Sequence, residues 1–433
     1  MSLTTGFLNP GMNENSKREK RPRVHQDTDH QDIEETGHHQ LEDSEHEQAE
    51  GSAHAYQQSD KVAHQQQPEQ ETEDRDWDAD ENGMSRTIFY LSGNGSVDCS
   101  ESLWTVWDVN GHDLAPVLWQ YRQAIIHKAQ RLQTLQGPSE KLVVNYIYLF
   151  EKNDSSSSLF AQVGVQDWAT ITTSSISKKT DSHDLLELQL LALELMNMSQ
   201  PNAESRILSW VGAIDIKKTF AELVADNFLW KRPSYNEHEL LKHLFDPFMK
   251  AFLYSADMSV GSWTKCFPPS ERRRKDYDEE SRGQRPDFFL ESTLPGKACH
   301  LFLLEGKKER QGSSVQSDLE KLAMFMKDSI DELQAQEVDA SDIEIIGLVV
   351  VGAEGRLYTM RLEARGIYVM REWATVYVPR SQYDFSVLSS TVNIFRNVHA
   401  RLQDTIANIS KKRPKVVDLT RPGFGTPIRV CRT

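Results

Sequence analysis

Asp287, Glu305 and Lys307 are the residues of this chain whose types and spacing suit chemistry. Asp287 opens the run Phe288-Phe289-Leu290, and Glu305 and Lys307 close the run Leu301-Phe302-Leu303-Leu304. Both segments read as short strands that meet charge at one end. Side chains alternate along a strand, which puts Glu305 and Lys307 on one face. Two carboxylates converging where a buried strand leaves the sheet suit a hard divalent cation, Mg²⁺ or Mn²⁺, which prefers oxygen ligands. A neighbouring lysine would orient or deprotonate an attacking water, or neutralise charge building up on a phosphate. That combination fits hydrolysis of a phosphodiester.

The elements that must hold these residues are legible on either side. Residues 235–253 place Leu240, Leu244, Phe248 and Phe252 on one helical face, with Asp246-Pro247 expected to kink or restart the helix. A loop carrying Glu271, Arg272, Arg273, Arg274 and Lys275 leads towards the Asp287 strand. After Lys308, Ser317 and Glu320 read as a capping box for a helix with Leu319, Leu322, Ala323, Met326, Ile330 and Leu333 on one face. Residues 343–351 read as a central strand apolar on both faces. A meander over 357–378 and an amphipathic helix over 384–409 follow.

Pro286-Asp287, the eighteen-residue step to Glu305, and Glu305-Gly306-Lys307 resemble the PD-(D/E)XK nuclease superfamily, over about residues 230–380. The resemblance implies an α/β (α+β) fold with a restriction-endonuclease-like αβββαβ core and a mixed sheet. It implies that Asp287 and Glu305 bind the metal and that Lys307 assists the attacking water. Members of the superfamily often add a glutamate from the helix before the sheet, for which Glu237 and Glu239 both qualify and Glu237 is preferred. The helix after the third strand often supplies a polar residue near the phosphate, here Gln316 or Lys321. Superfamily members include inactive chains, so the alternative expectation is a nuclease-fold module that binds nucleic acid or protein without cleaving it.

Composition bounds the remainder. The chain has 433 residues and a formal net charge of −16. Residues 1–84 hold 7 Lys and Arg against 21 Asp and Glu, leaving a net of −2 for the rest. This Gln- and His-rich tail has almost no branched aliphatics, so it reads as disordered. Residues 85–229 read as a mainly helical module of unknown role, 230–410 as the nuclease-like domain and 411–433 as a basic tail. In the module, a helix is expected over 116–136, ended by Gly137-Pro138, then a strand over 141–150 and helices over 184–198 and 204–228.

The apolar run Ile345 to Ala353 falls far short of the ~20 residues a membrane helix needs. The N-terminus lacks an apolar signal core, and four cysteines without CxxC spacing give neither a zinc framework nor a disulfide scaffold. These features predict an intracellular chain. Basic clusters at Lys17, Arg18, Lys20, Arg21 and Arg23, and at Lys411, Lys412, Arg413 and Lys415, predict nuclear entry. The expected partner is nucleic acid, DNA ahead of RNA, with Arg272, Arg273, Arg274 and Lys275 near enough to reach a phosphate backbone. A protein partner for the acidic tail is a further expectation. A P-loop is excluded because Leu301 stands where its first glycine belongs, and GxSxG, HExxH and kinase motifs are lacking.

Overall fold

The computed structural model describes residues 105–131, 134–135, 137–173, 182–225, 237–254, 258–259, 267–275, 285–292, 299–307 and 314–411. The acidic tail and the first basic cluster lie outside them, as do Lys412, Arg413 and Lys415 of the second.

The chain is a mixed α/β protein built on one mixed sheet. Its strands are β3 (Ile147–Phe150), β4 (Met258–Ser259), β5 (Phe288–Ser292), β6 (Cys299–Lys307), β7 (Ile345–Val351), β8 (Glu354–Ala364) and β9 (Ile367–Tyr377). They lie in the order β3-β9-β8-β7-β6-β5-β4. A separate hairpin, β1 (Asp108–Val109) and β2 (His112–Asp113), turns through Asn110 and Gly111, both at positive φ. Strands β4, β5 and β6 pair antiparallel, β6 and β7 parallel, β7, β8 and β9 antiparallel, and β9 and β3 parallel. The four strands β3, β6, β7 and β9 therefore run the same way and end at one edge. That is the edge where open α/β sheets gather their ligands.

Helices cover both faces. Helix α10 (Ser314–Ala335) makes the crossover from β6 to β7 and lies on one face, where Leu322 and Met326 sit over Gly347. On the other face, α8 (237–253) places Leu241 over Gly306 and Phe245 beside Gly355. The long α11 (Leu388–Ile409) packs outside α8, with Phe248 and Phe395 stacked at 5.2 Å between centroids. Burying these apolar faces is the main source of stability, at about 25 cal/mol per Å² of apolar surface.

Several sequence expectations change in detail. Gly137-Pro138 opens a helix, α2 (Gly137–Val143), after α1 (Ala115–Gln130), because proline fits the first helical turn, where its missing N–H has no partner to lose. The strand expected over 141–150 shrinks to Ile147–Phe150. Pro201 likewise starts α6 (Gln200–Ser209) after α5 (Ser182–Leu195), and the helix expected over 204–228 divides into α6 and α7 (Ile214–Ala225). Asp246-Pro247 does not break α8. The helix absorbs the missing N–H by widening into π turns at Leu241–Phe245 and Met249–Leu253. The arginine-rich segment is a helix, α9 (Pro268–Lys275), not a loop. Ser317 lies inside α10, which already begins at Ser314, so the capping box does not start it.

Residues 105–173 do not stand beside the sheet; they extend it. β3 pairs along β9, Ile147 opposite Tyr368 and Phe150 opposite Arg371. Tyr148 and Phe150 share a second core with Trp107, Trp168, Ile367 and Val369, built with α1, α3 (Ser158–Val163) and α4 (Val165–Thr173). Lys141 of α2 meets Glu320 of α10 at 3.2 Å, with both side chains largely covered.

Candidate active site

Cross-strand register brings Asp287 to Glu305. Phe288 lies opposite Leu304 in the antiparallel pair, so Asp287, one residue earlier, falls beside Glu305 and shares its face, the face of α10. The ladder between β5 and β6 stops at Phe288, and there the Asp287 side chain takes over. Its Oδ2 accepts the Gly306 backbone N–H at 2.7 Å. Pro286 is buried behind it, and the restriction proline imposes on its neighbourhood fixes the approach of the strand.

Glu305 is 2% exposed, sealed between β7 and α10. Its Oε2 accepts a hydrogen bond from Lys321 Nζ at 2.9 Å. Its Oε1 is buried and has no hydrogen-bond partner among the described residues. Burial pushes the Glu305 carboxyl well above the ordinary carboxylate range; Lys321 pulls it back, and the Asp287 charge raises it again. Burial would lower the Lys321 ammonium, but Glu305, Asp287 and Asp318 together hold its pKa above the usual lysine value.

The two lysines are divided between carboxylates. Lys307, on the rim with 36% of its side chain exposed, lies 3.9 Å from Asp318 Oδ1 on α10. Lys321 sits one helical turn after Asp318, deeper, against Glu305. Asp318 is a member of the cluster that the sequence reading did not single out. Its signal was its position three residues before Lys321 on a helix, which puts both on one face.

The position between Glu305 and Lys307 is glycine for a steric reason. A Cβ there would lie 2.8 Å from both δ-carbons of Leu241, so only glycine lets α8 seat against β6 at this point.

The structure brings together Asp287, Glu305, Lys307 and Lys321. Gln316 lies in the first turn of α10 and is exposed. Glu239 is exposed on the first turn of α8. The backbone of Glu237 belongs to that turn and those of Arg272, Arg273, Arg274 and Lys275 to α9, while their side chains lie outside the described residues. Among the described residues no group of three or more His, Cys, Asp or Glu side chains is placed to hold a metal ion, and no helix is long and apolar enough to cross a membrane.

A partly buried carboxylate outside this cluster lies at the same edge of the sheet. Glu151, just past β3, accepts the Tyr358 hydroxyl at 2.9 Å, and burial raises its pKa despite that bond. Comparison with protein-family models, with curated proteins and with solved structures finds no match to this chain.

Proposed function

We propose that this chain hydrolyses phosphodiester bonds of nucleic acid at Asp287, Glu305 and Lys307. The observation that carries the reading is the pairing of Asp287 with Glu305 across two strands, with one Glu305 oxygen buried and without a hydrogen-bond partner among the described residues. A buried oxygen of that kind is costly unless something pairs with it. Hard oxygen donors are what Mg²⁺ and Mn²⁺ take, so the donor set fits such an ion, held by Asp287 and Glu305. When bound, the ion would activate water and stabilise charge on the phosphate.

The chain's own groups have separable tasks. The Gly306 N–H fixes the Asp287 carboxylate; the walls of β7 and α10 exclude bulk water from Glu305; Lys307, on the exposed rim, meets the phosphate as a point charge. The charge balance supports a phosphodiester. Three carboxylates, Asp287, Glu305 and Asp318, face two ammonium groups, Lys307 and Lys321. A divalent ion turns that small negative excess into a small positive one, which one phosphodiester charge neutralises.

The antiparallel strands β4, β5 and β6, the α10 crossover and the parallel β7, with α8 in front, support a restriction-endonuclease-like αβββαβ core. The basic clusters in the sequence support a nuclear protein. One observation favours a second reading: the Glu305–Lys321 ion pair already gives the carboxylate a cation, as a non-catalytic binding module would need.

The test is cleavage of labelled single- and double-stranded DNA and RNA by the full chain, with Mg²⁺, Mn²⁺ or EDTA. Metal-dependent cleavage that Lys307→Ala weakens supports the first reading. Folded wild type that cleaves nothing establishes the second.

A further inference from the structure

We propose that the Lys321 ammonium occupies the cation position of Glu305 in the metal-free protein, and that a divalent ion binds there only by displacing it. The proposal rests on the metal-dependent reading above and specifies how that site is regulated.

Lys321 Nζ is 2.9 Å from Glu305 Oε2, and the two side chains are only 29% and 2% exposed. A metal taken by the other oxygen, Oε1, would bring its charge to the same carboxylate that this ammonium already holds. Two cations cannot both sit there without strong repulsion in a poorly screened place. The ammonium has somewhere to go. Lys321 is a flexible four-carbon stem, and Asp318 lies one turn back on the same face of α10, towards the rim. The ammonium also lies over the Phe325 ring, 5.8 Å from Nζ to the ring centroid.

Displacement has a functional consequence. An ammonium released from Glu305 moves towards the rim, where Lys307 already stands, and adds a second positive charge for a phosphate. Metal and substrate would then tighten each other's binding, since a coupling of this kind is reciprocal. Without metal, Lys321 keeps the buried carboxylate paired and the site closed to phosphate.

The test is Mn²⁺ binding to the full chain by calorimetry or electron paramagnetic resonance, in wild type, Lys321→Gln and Glu305→Gln, each checked for folding by circular dichroism. The proposal expects Lys321→Gln to bind Mn²⁺ about tenfold more tightly than wild type, or better, and Glu305→Gln to lose the site. Affinity of Lys321→Gln equal to or weaker than wild type, with wild type binding, overturns the proposal and leaves the metal reading intact. If neither wild type nor Lys321→Gln binds, the metal reading itself fails and the proposal with it.

A measurement on unmodified wild type guards against a variant that does not fold. Amine acylation read by mass spectrometry should rise several-fold at Lys321 when Mn²⁺ is added, while Lys327, whose side chain is fully buried, stays protected. Unchanged acylation of Lys321 in protein that binds Mn²⁺ contradicts displacement.

Discussion

Leu241 and Gly306 are in such close contact that a Cβ on the glycine would lie 2.8 Å from both leucine δ-carbons. The contact joins the π turn of α8 to the residue between Glu305 and Lys307, so a steric change here reaches the site through the backbone. Gly306→Ala should cost about 1–3 kcal/mol of stability, the usual range for overpacking a core. Leu241→Ala in the same chain should recover part of that loss. Urea unfolding of the two single variants and the double variant measures the coupling.

The proposed function gives Asp287 two separable tasks, one structural and one chemical. Its Oδ2 holds the Gly306 N–H at 2.7 Å. The side-chain amide of an Asp287→Asn variant keeps an acceptor for that bond, so the variant should unfold close to wild type and lose cleavage. Asp287→Ala removes the acceptor as well and should cost about 1–3 kcal/mol, the penalty for an unpaired buried donor. Thermal unfolding beside an activity assay distinguishes the two variants.

The segment from Trp107 to Thr173 should be needed for folding. β3 covers the edge of β9, and Tyr148 and Phe150 complete the core that holds Ile367 and Val369. Residues 230–433 expressed alone would expose that edge and core, a recipe for aggregation. Residues 105–433 should unfold cooperatively, whereas 230–433 should be insoluble or bind a hydrophobic dye. Soluble, cooperative 230–433 would contradict this.

Much of the site was legible because its signals are local. Apolar runs, one opened by Asp287 and one closed by Glu305-Gly306-Lys307, marked two strands, and alternation placed Glu305 and Lys307 on one face. Helix α10 showed itself by its apolar stripe. What stayed illegible depends on contacts distant in sequence. Ile147–Phe150 reads as any short strand, and nothing local says that it pairs with a strand more than two hundred residues later. The π turns of α8 arise from packing around Pro247, so periodicity alone gave a kink. Lys321 was expected near the phosphate only through the resemblance, and its ion pair with the buried Glu305 follows from where the crossover lands.

Glu151 should make stability depend on pH. Its folded pKa is raised, chiefly by burial, above the ordinary 4.5. The folded state therefore holds a proton that the unfolded state has released, and stability falls as pH rises from about 4.5 through the folded value. Glu151→Gln keeps an acceptor for the Tyr358 hydroxyl and removes the charge. The variant should gain on wild type progressively across that window and by a constant amount above it, as thermal melts at successive pH values would show. A difference that does not change with pH would contradict the raised pKa.

The measurement that bears most directly on the proposed function is single-turnover cleavage of labelled nucleic acid by wild type and Asp287→Asn, in Mn²⁺ and in EDTA, with both proteins shown to be folded. The account expects cleavage by wild type in Mn²⁺ alone, and a loss of at least about a hundredfold in the variant, the scale on which removing one charge-stabilising group acts. Equal cleavage by both proteins, or cleavage that persists in EDTA, would contradict the assignment of the chemistry to this site.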